Sequence, residues 1–363
     1  MKYIFYPLLI MSLITLAVSP KRFGNTPQGA RKERVHQSPN YRDGKFQNLS
    51  PTPHLTSEKS KAAMMLGFLF RGERDKDLRP DSALPAVKTN LRNLNPREDW
   101  LVWFGHSSVL LQVGGKRILV DPVFSKAASP VAFFNKAFKG TTIYAASDIP
   151  DIDYLIISHD HWDHLDYPTV AALKSKVAKI FCPLGVGEHF ERWKFDMARV
   201  VEMDWNDAAQ PDSGVNITCL PSRHFSGRGF SPNQSLWASF LVATPAAKIY
   251  ISGDGGYDTH FADIGKRFGP IDLAVIENGQ YGEGWRYIHM TPEEAAQAGK
   301  DLRARVALPV HSSKFALGRH SWREPLDRFT AAHDGSYRLI TPMIGEPVFW
   351  QDSSATFTHW WKK

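Results

Sequence analysis

Cysteine is nearly absent. The 363 residues hold two, Cys182 and Cys219, too few for a disulfide framework or a Cys-based zinc site, and too few to fix the redox compartment. Dense Lys/Arg runs and ladders of aromatic and basic residues are missing too, so the footprint of a nucleic-acid binder is not there. The net charge of +7 is a modest basic excess that suits an anionic surface or an anionic substrate. There is no internal repeat and no low-complexity tract. A long apolar run occurs at Tyr3–Val18, within MKYIFYPLLIMSLITLAVSPKRFG. It reads as an uncleaved membrane anchor. A cleaved signal ending near Ala17-Val18-Ser19 and a buried helix are the alternatives. The expected location is membrane-associated, at a bacterial inner membrane. The side stays open: the basic residues after the run favour a cytoplasmic domain, and a signal peptide would export it.

What is present divides the chain into three. Residues 1–20 are the anchor or signal segment. Residues 21–94 are polar and rich in Pro, Asn, Gln and Ser, and read as an extended linker. A short amphipathic helix is expected inside it at SEKSKAAMMLGFLFR, with Met64, Met65, Phe68 and Leu69 on one side, packed on the domain or on a membrane surface. Residues 95–363 form the main domain. There WLVWFGHSSVLLQVGGKRILVDPVF predicts two strands around a Gly114-Gly115 turn. Short apolar runs predict further strands at 153–158, 178–184, 216–224, 235–244, 248–254, 272–277, 306–311 and 337–342. Helical stretches lie between several of them, including VAALKSK and PEEAAQAGKDL. Thr291 before Pro292-Glu293-Glu294 is a helix start: an N-cap, Pro in the first turn, then acids at the positive end of the dipole. Periodicity supports an α/β or α+β domain with two mixed β-sheets covered by helices.

Strand after strand ends in a histidine or an aspartate: His159, His224, Asp254 and His311. Ligands at several strand ends converge on one edge of a rigid sheet, which suits a metal site. The loop SHDHWDHLD (158–166) spaces His159, His161, Asp163 and His164 as HxHxDH. Imidazole nitrogen and carboxylate oxygen suit zinc, with iron or manganese as alternatives. Residues two apart in an extended loop point the same way, so His159 and His161 can grip one ion, and Asp163 and His164 a second. Two cations sharing a hydroxide supply a nucleophile near neutral pH.

SHDHWDHLD, the GDGGY of 253–257 and the later Val310-His311 resemble the metallo-β-lactamase superfamily, over about Leu101 to Trp350. The resemblance implies an αβ/βα sandwich with metals at one edge of its two sheets. WFGHSSVLLQ, DPVFS, PLGVG, HFSGRG, LWASF, HFADIGKRFGP and HMTPEEA are similar to the branch of N-acylphosphatidylethanolamine-hydrolysing phospholipase D and its bacterial relatives. Carried over, the resemblance implies two zinc ions per chain: one on His159, His161 and His224, the other on Asp163, His164 and His311, with Asp254 bridging. Asp163 would also orient the attacking water. His289 would face the substrate phosphate or protonate the leaving group. Asp121 reads as a buried carboxylate that orients the metal loop, and His106 as support for the site or as a core hydrogen bond. Gln280 and Tyr281 are expected on the substrate side, and Arg228, in a Gly-flanked loop, is a candidate for an anionic head group.

The implied activity is hydrolysis of a phosphodiester in a membrane phospholipid. The alternative is a lactonase resembling the ascorbate-6-phosphate lactonase group, acting on a sugar-phosphate lactone. The stretch ENGQYGEGWRY and the Ser312-Ser313-Lys314 that follows the last ligand depart from the branch's pattern, and both lie on the substrate side. Long C-terminal nuclease additions are absent, which argues against RNA or DNA. The expected partners are a lipid or small anionic substrate and a membrane surface. An oligomer is compatible with the sequence.

Overall fold

The computed structural model describes residues 19–56, 77–229 and 231–362. The anchor and the amphipathic helix expected from the sequence lie outside these residues. Among the described residues no helix is long and apolar enough to cross a membrane.

Strands and helices are numbered in chain order. Helix α1 (Gly29–Gln37) is followed by a small hairpin of β1 (Tyr41–Arg42) and β2 (Lys45–Phe46). The first large sheet takes β3 (Trp100–Trp103), β4 (Val109–Val113), β5 (Lys116–Val120), β6 (Ile152–Ile156), β7 (Val177–Pro183) and β8 (Val200–Met203). The second takes β9 (Ala208–Asp212), β10 (Val215–Leu220), β11 (Ser239–Ala243), β12 (Lys248–Ile251), β13 (Ile271–Glu277), β14 (Ala304–Val310) and β15 (Arg338–Leu339). β16 (Pro347–Val348) returns to the first sheet beside β3. Each sheet thus has seven strands, ordered β16-β3-β4-β5-β6-β7-β8 and β15-β14-β13-β12-β11-β10-β9. In each, the early hairpins are antiparallel, and the later strands, from β5 and from β12, run parallel.

The sequence explains this arrangement. β4 to β5 closes with a two-residue Gly114-Gly115 turn between the paired Val113 and Lys116, with φ of +55° and +77° that only glycine adopts freely. The apolar runs are buried on both faces, so they show little alternation. One face of each sheet forms the shared core, where Leu101, Trp103 and Leu111 meet Ile217, Phe240 and Ile249. The other faces are covered by helices. α2 (Tyr167–Leu173) and α3 (Gly187–Arg192) pack through Val170, Leu173 and Phe190 on the first sheet. α4 (His260–Phe268), α5 (Pro292–Asp301) and α6 (Glu324–Ala332) pack through Phe261, Ala295 and Phe329 on the second. The result is the αβ/βα sandwich.

Two sequence expectations change. Residues 235–238 are buried loop rather than strand: Leu236 N donates to Leu184 O and Ala238 N to Ser158 O, so the segment crosses between the sheets before β11 begins. Residues 21–56 are not an extended linker. They carry α1 and the β1–β2 hairpin and lie on the domain as a strap. Val35 and Phe46 are buried in the shared core. Arg31 reaches Glu188, Glu191 and Glu202 at 2.6–2.7 Å. The composition is polar because the strap is held by single apolar anchors and long-range polar contacts, which leave no periodic signal.

Candidate metal centre

The ends of β5, β6, β12, β13 and β14 meet at one edge of the sandwich. After β6 the chain turns into the His/Asp loop, and Asp121 at the end of β5 holds both arms of it. Asp121 Oδ1 accepts Ser158 N at 2.8 Å and Oδ2 accepts Ser158 Oγ at 2.6 Å. The same Oδ2 lies 2.8 Å from His164 Nδ1. His164 is therefore clamped by Nδ1, and its buried Nε2 faces the centre with no hydrogen-bond partner. After β12, Gly253 (φ +58°) turns the chain so that Asp254 enters the site. A Cβ at Gly256 would stand 2.1 Å from Tyr287 O, so glycine is required where this loop passes the 287–289 segment.

The structure brings all seven ligand candidates together. His159, His161 and His224 place nitrogen atoms within 4.8 Å of one another. His161 Nδ1 is 2.9 Å from His159 Nε2 and 3.3 Å from His224 Nε2. Asp163, His164 and His311 form a second group, joined by His106. Asp254 lies between the two: Oδ2 is 3.9 Å from His159 Nε2, 3.8 Å from His224 Nε2 and 3.1 Å from His164 Nε2, and Oδ1 is 3.1 Å from His311 Nδ1. Every residue of the set is buried or nearly so.

The electrostatics follow from that crowding. Burial, reinforced by neighbouring imidazoles, holds His159, His224 and His311 well below the ordinary histidine pKa. Burial likewise holds His161 down to about 4. These rings are neutral at pH 7 and offer lone pairs. Burial also opposes the charge on His164, but the carboxylates of Asp254, Asp163 and Asp121 outweigh it and raise that pKa well above normal. Desolvation pushes Asp254 up to about 6. For Asp163, burial is overcome by His164 and His106, which keep it ionised. The lone pairs of the neutral His159, His161 and His224 converge, and the buried Nε2 of His311 has no hydrogen-bond partner, which is what a cation relieves. The nitrogen and oxygen donors suit a borderline or hard divalent metal.

Residues beyond the seven complete the centre. His106 Nε2 lies 2.7 Å from Asp163 Oδ2 and so supports a ligand candidate. Ser107 Oγ lies 2.9 Å from His311 Nδ1. His224 is held by strap and loop: Asn48 donates to its carbonyl at 2.7 Å, and its Nδ1 lies 2.8 Å from Ile288 O. His289 stands beside the centre, its ring 5.1 Å from His224 and 5.3 Å from His311. Its Nδ1 is 2.6 Å from Oε1 of Glu277, a fully buried carboxyl whose pKa burial raises well above normal. Glu277 ends β13 as Asp254 follows β12, so the rule of polar residues at strand ends points to it as well.

The substrate candidates Gln280, Tyr281 and Arg228 fare differently. The Gln280 amide donates to His311 O and Phe315 O and accepts Leu317 N and Gly318 N, so it holds the 311–318 loop. Tyr281 stacks on His320 and donates to Glu324 Oε1 at 2.7 Å. Arg228 is buried, donates to the carbonyls of Asp160, Leu165 and Arg22, and lies 3.9 Å over the Trp162 ring. Desolvation pulls its pKa down to about 10. These polar groups are spent inside the protein. They brace the loops around the candidate metal centre.

Comparison with known proteins agrees with this geometry. A sequence profile described as the beta-lactamase superfamily domain matches residues 116–312. An uncharacterized protein of Mycobacterium tuberculosis is 38% identical over 317 residues, covering 86% of this chain and 84% of that one. The N-acyl-phosphatidylethanolamine-hydrolyzing phospholipase D 1 of Caenorhabditis elegans is 30% identical over 296 residues, covering 75% of this chain and 82% of that one. A metallo hydrolase from the archaeon Ignicoccus hospitalis shares the fold at a TM-score of 0.53 and 21% identity, over 69% of this chain and 97% of its own. The chain belongs to the beta-lactamase superfamily, as a metal-dependent hydrolase.

Proposed function

We propose that this hydrolase is a dinuclear zinc phosphodiesterase of phospholipase D type, acting on N-acylphosphatidylethanolamine-like phospholipids. The observation that carries the reading is the imidazole beside the ligand set. His289 is placed against both ligand groups, and its Nδ1 is occupied by Glu277. Its Nε2 is then the nitrogen available to a phosphoryl group or to a leaving oxygen. The similarity to the worm phospholipase supports the same substrate class.

His159, His161 and His224 would hold one ion, Asp163, His164 and His311 the other, and Asp254 both. Bound there, the ions supply Lewis acidity at the phosphoryl oxygens and acidify water. Asp163, steadied through Oδ2 by His106, orients the attacking water with its other oxygen. His289 Nε2 holds the proton that the departing alkoxide needs. Cleavage of the P–O bond to the N-acylethanolamine gives phosphatidic acid and the free N-acylethanolamine.

The test is an end-point assay of the zinc-loaded full chain on N-acylphosphatidylethanolamine in mixed micelles, read by mass spectrometry. Phosphatidic acid that disappears on chelation supports the reading. Two metals per chain with no phosphatidic acid, and turnover of a sugar-phosphate lactone instead, would sink it in favour of the lactonase.

A further inference from the structure

Three of the four exposed phenyl rings among the described residues, Phe23, Phe133 and Phe134, lie on two adjoining segments. The loop from Lys126 to Ala137 doubles back on itself: Ala128 N donates to Asn135 O, Ala137 N to Lys126 O, and Phe134 N to Val131 O at the tip. At that tip Phe133 is 60% and Phe134 46% exposed, with their rings 4.5 Å apart. The strap adds Phe23, 40% exposed, and Arg22 Nη1 donates to Pro130 O at 3.0 Å, tying strap to tip. A hydrogen-bonded loop holds these rings in water, which is unfavourable unless something covers them.

The two segments that carry these rings bear charge of one sign. Residues 122–147 contain Lys126, Lys136 and Lys139 and no acid, and residues 19–28 contain Lys21 and Arg22 and no acid. Lys21, Lys126, Lys136 and Lys139 are exposed. Aromatic rings at a tip with lysines set back along its base match a bilayer carrying anionic lipid: rings among the upper acyl carbons, ammonium groups at the phosphates. The patch also borders the metal centre on both sides. Phe23 meets Trp162 of the His/Asp loop edge-on at 5.2 Å. The base of the 126–137 loop packs through Ala128 on Phe315, and Phe138 N donates to Lys314 O, just past His311. A cavity of about 600 Å³ opens between Phe23, Pro130 and Val131 on one side and Arg228 and Gly229 on the other.

We propose that the 130–134 tip and Phe23 form a docking patch that enters the headgroup region of an anionic lipid bilayer and sets the metal edge against it. The purpose of such docking rests on the phospholipid reading. The patch itself stands on exposed rings and one-signed charge.

The experiment labels the tip of the full-length protein. Cys182 and Cys219 are buried, so an Ala132→Cys variant takes an environment-sensitive NBD label at the tip. Vesicles of phosphatidylcholine are compared with equal mixtures of phosphatidylcholine and phosphatidylglycerol. A several-fold rise and blue shift of emission with the anionic vesicles, reduced by salt and by K126E/K136E and lost in F133S/F134S at unchanged Tm, supports the patch. Unchanged emission while the chain sediments with the vesicles overturns it, because another segment then holds the membrane. An emission rise without vesicles that tracks dimer formation in light scattering also overturns it, in favour of a second copy covering the rings. Insertion without phosphatidic acid formation keeps the patch and removes the phospholipid substrate. Phosphatidic acid formation with a silent tip does the reverse.

Discussion

At the scale of single residues, three side chains concentrate the chemistry. Asp254 is the carboxylate that lies between the two groups of ligand candidates. Asp254→Asn keeps its size and removes its charge. The expected result is metal content well below that of the unsubstituted protein by elemental analysis, with activity down by roughly 100-fold or more, since even the partners of ligands are worth 10–100-fold. Normal metal and activity in that variant would remove Asp254 from the centre. Glu277 acts through His289. Glu277→Gln should leave metal content unchanged, lower kcat by about 10-fold and displace the pH profile, while His289→Ala loses about 100-fold, as removal of a proton donor does. Lys314 is a buried cation whose ammonium donates to Phe104 O and Val123 O, and desolvation pulls its pKa down to about 7. The unfolded chain keeps that proton up to the ordinary lysine value, so between pH 7 and 10 it binds more protons than the folded one. This lysine therefore makes stability rise with pH over that window. Urea midpoints that climb from pH 7 to 10, with the difference between the native chain and Lys314→Met showing that slope, are expected. A pH-independent difference would show that the lysine is not perturbed.

At the scale of elements, caps and contacts decide what propensity leaves open. The helix start at Thr291 is a full capping box: Thr291 Oγ1 accepts Glu294 N and Glu294 Oε2 accepts Thr291 N. Thr291→Ala should cost about 1 kcal/mol in chemical denaturation. The strap depends on Arg31, whose three carboxylate partners hold its pKa above normal against the opposing effect of burial. Glu188 and Glu202 are largely buried beneath it. Arg31→Ala leaves those carboxylates uncompensated and should cost about 3 kcal/mol, the low end for removing one partner of a buried pair. Limited proteolysis should then cut within 24–48 ahead of the rest of the domain. Equal protection in both proteins would mean that the strap is held without Arg31. Strands with continuous apolar runs, such as β6, β12 and β14, were legible in the sequence. β8, β9 and β16 were not, because they are short or polar and are specified by their neighbours in the sheet.

At the scale of the whole molecule, binding of metal to the folded chain and stability are one equilibrium. The ligand loops leave β6, β12 and β14 from two different sheets, so an ion there ties the halves of the sandwich together. Metal that binds the folded chain in 100-fold excess over its Kd adds about 2.7 kcal/mol. Chelation should lower Tm by several degrees, and added zinc should restore it. An unchanged Tm on complete metal removal would show that the centre does not couple the sheets. The sequence by itself determined an α/β or α+β domain, the HxHxDH loop, the polar residues at the ends of apolar runs and the helix start, because each is written in local spacing, while the sandwich and the full set of ligand candidates were implied by the resemblance to the metallo-β-lactamase superfamily. The tertiary structure alone decided what the long-range partners do. Arg228 and Gln280 look presentable to a substrate when read along the chain, yet their polar groups meet carbonyls and amides brought close by folding. Glu277 and Asn48 look ordinary, yet the fold places them on His289 and His224, and of the two readings open for His106 it selects contact with Asp163. A buried polar group must find a partner wherever the chain brings one, and that choice is made in space between residues far apart in sequence.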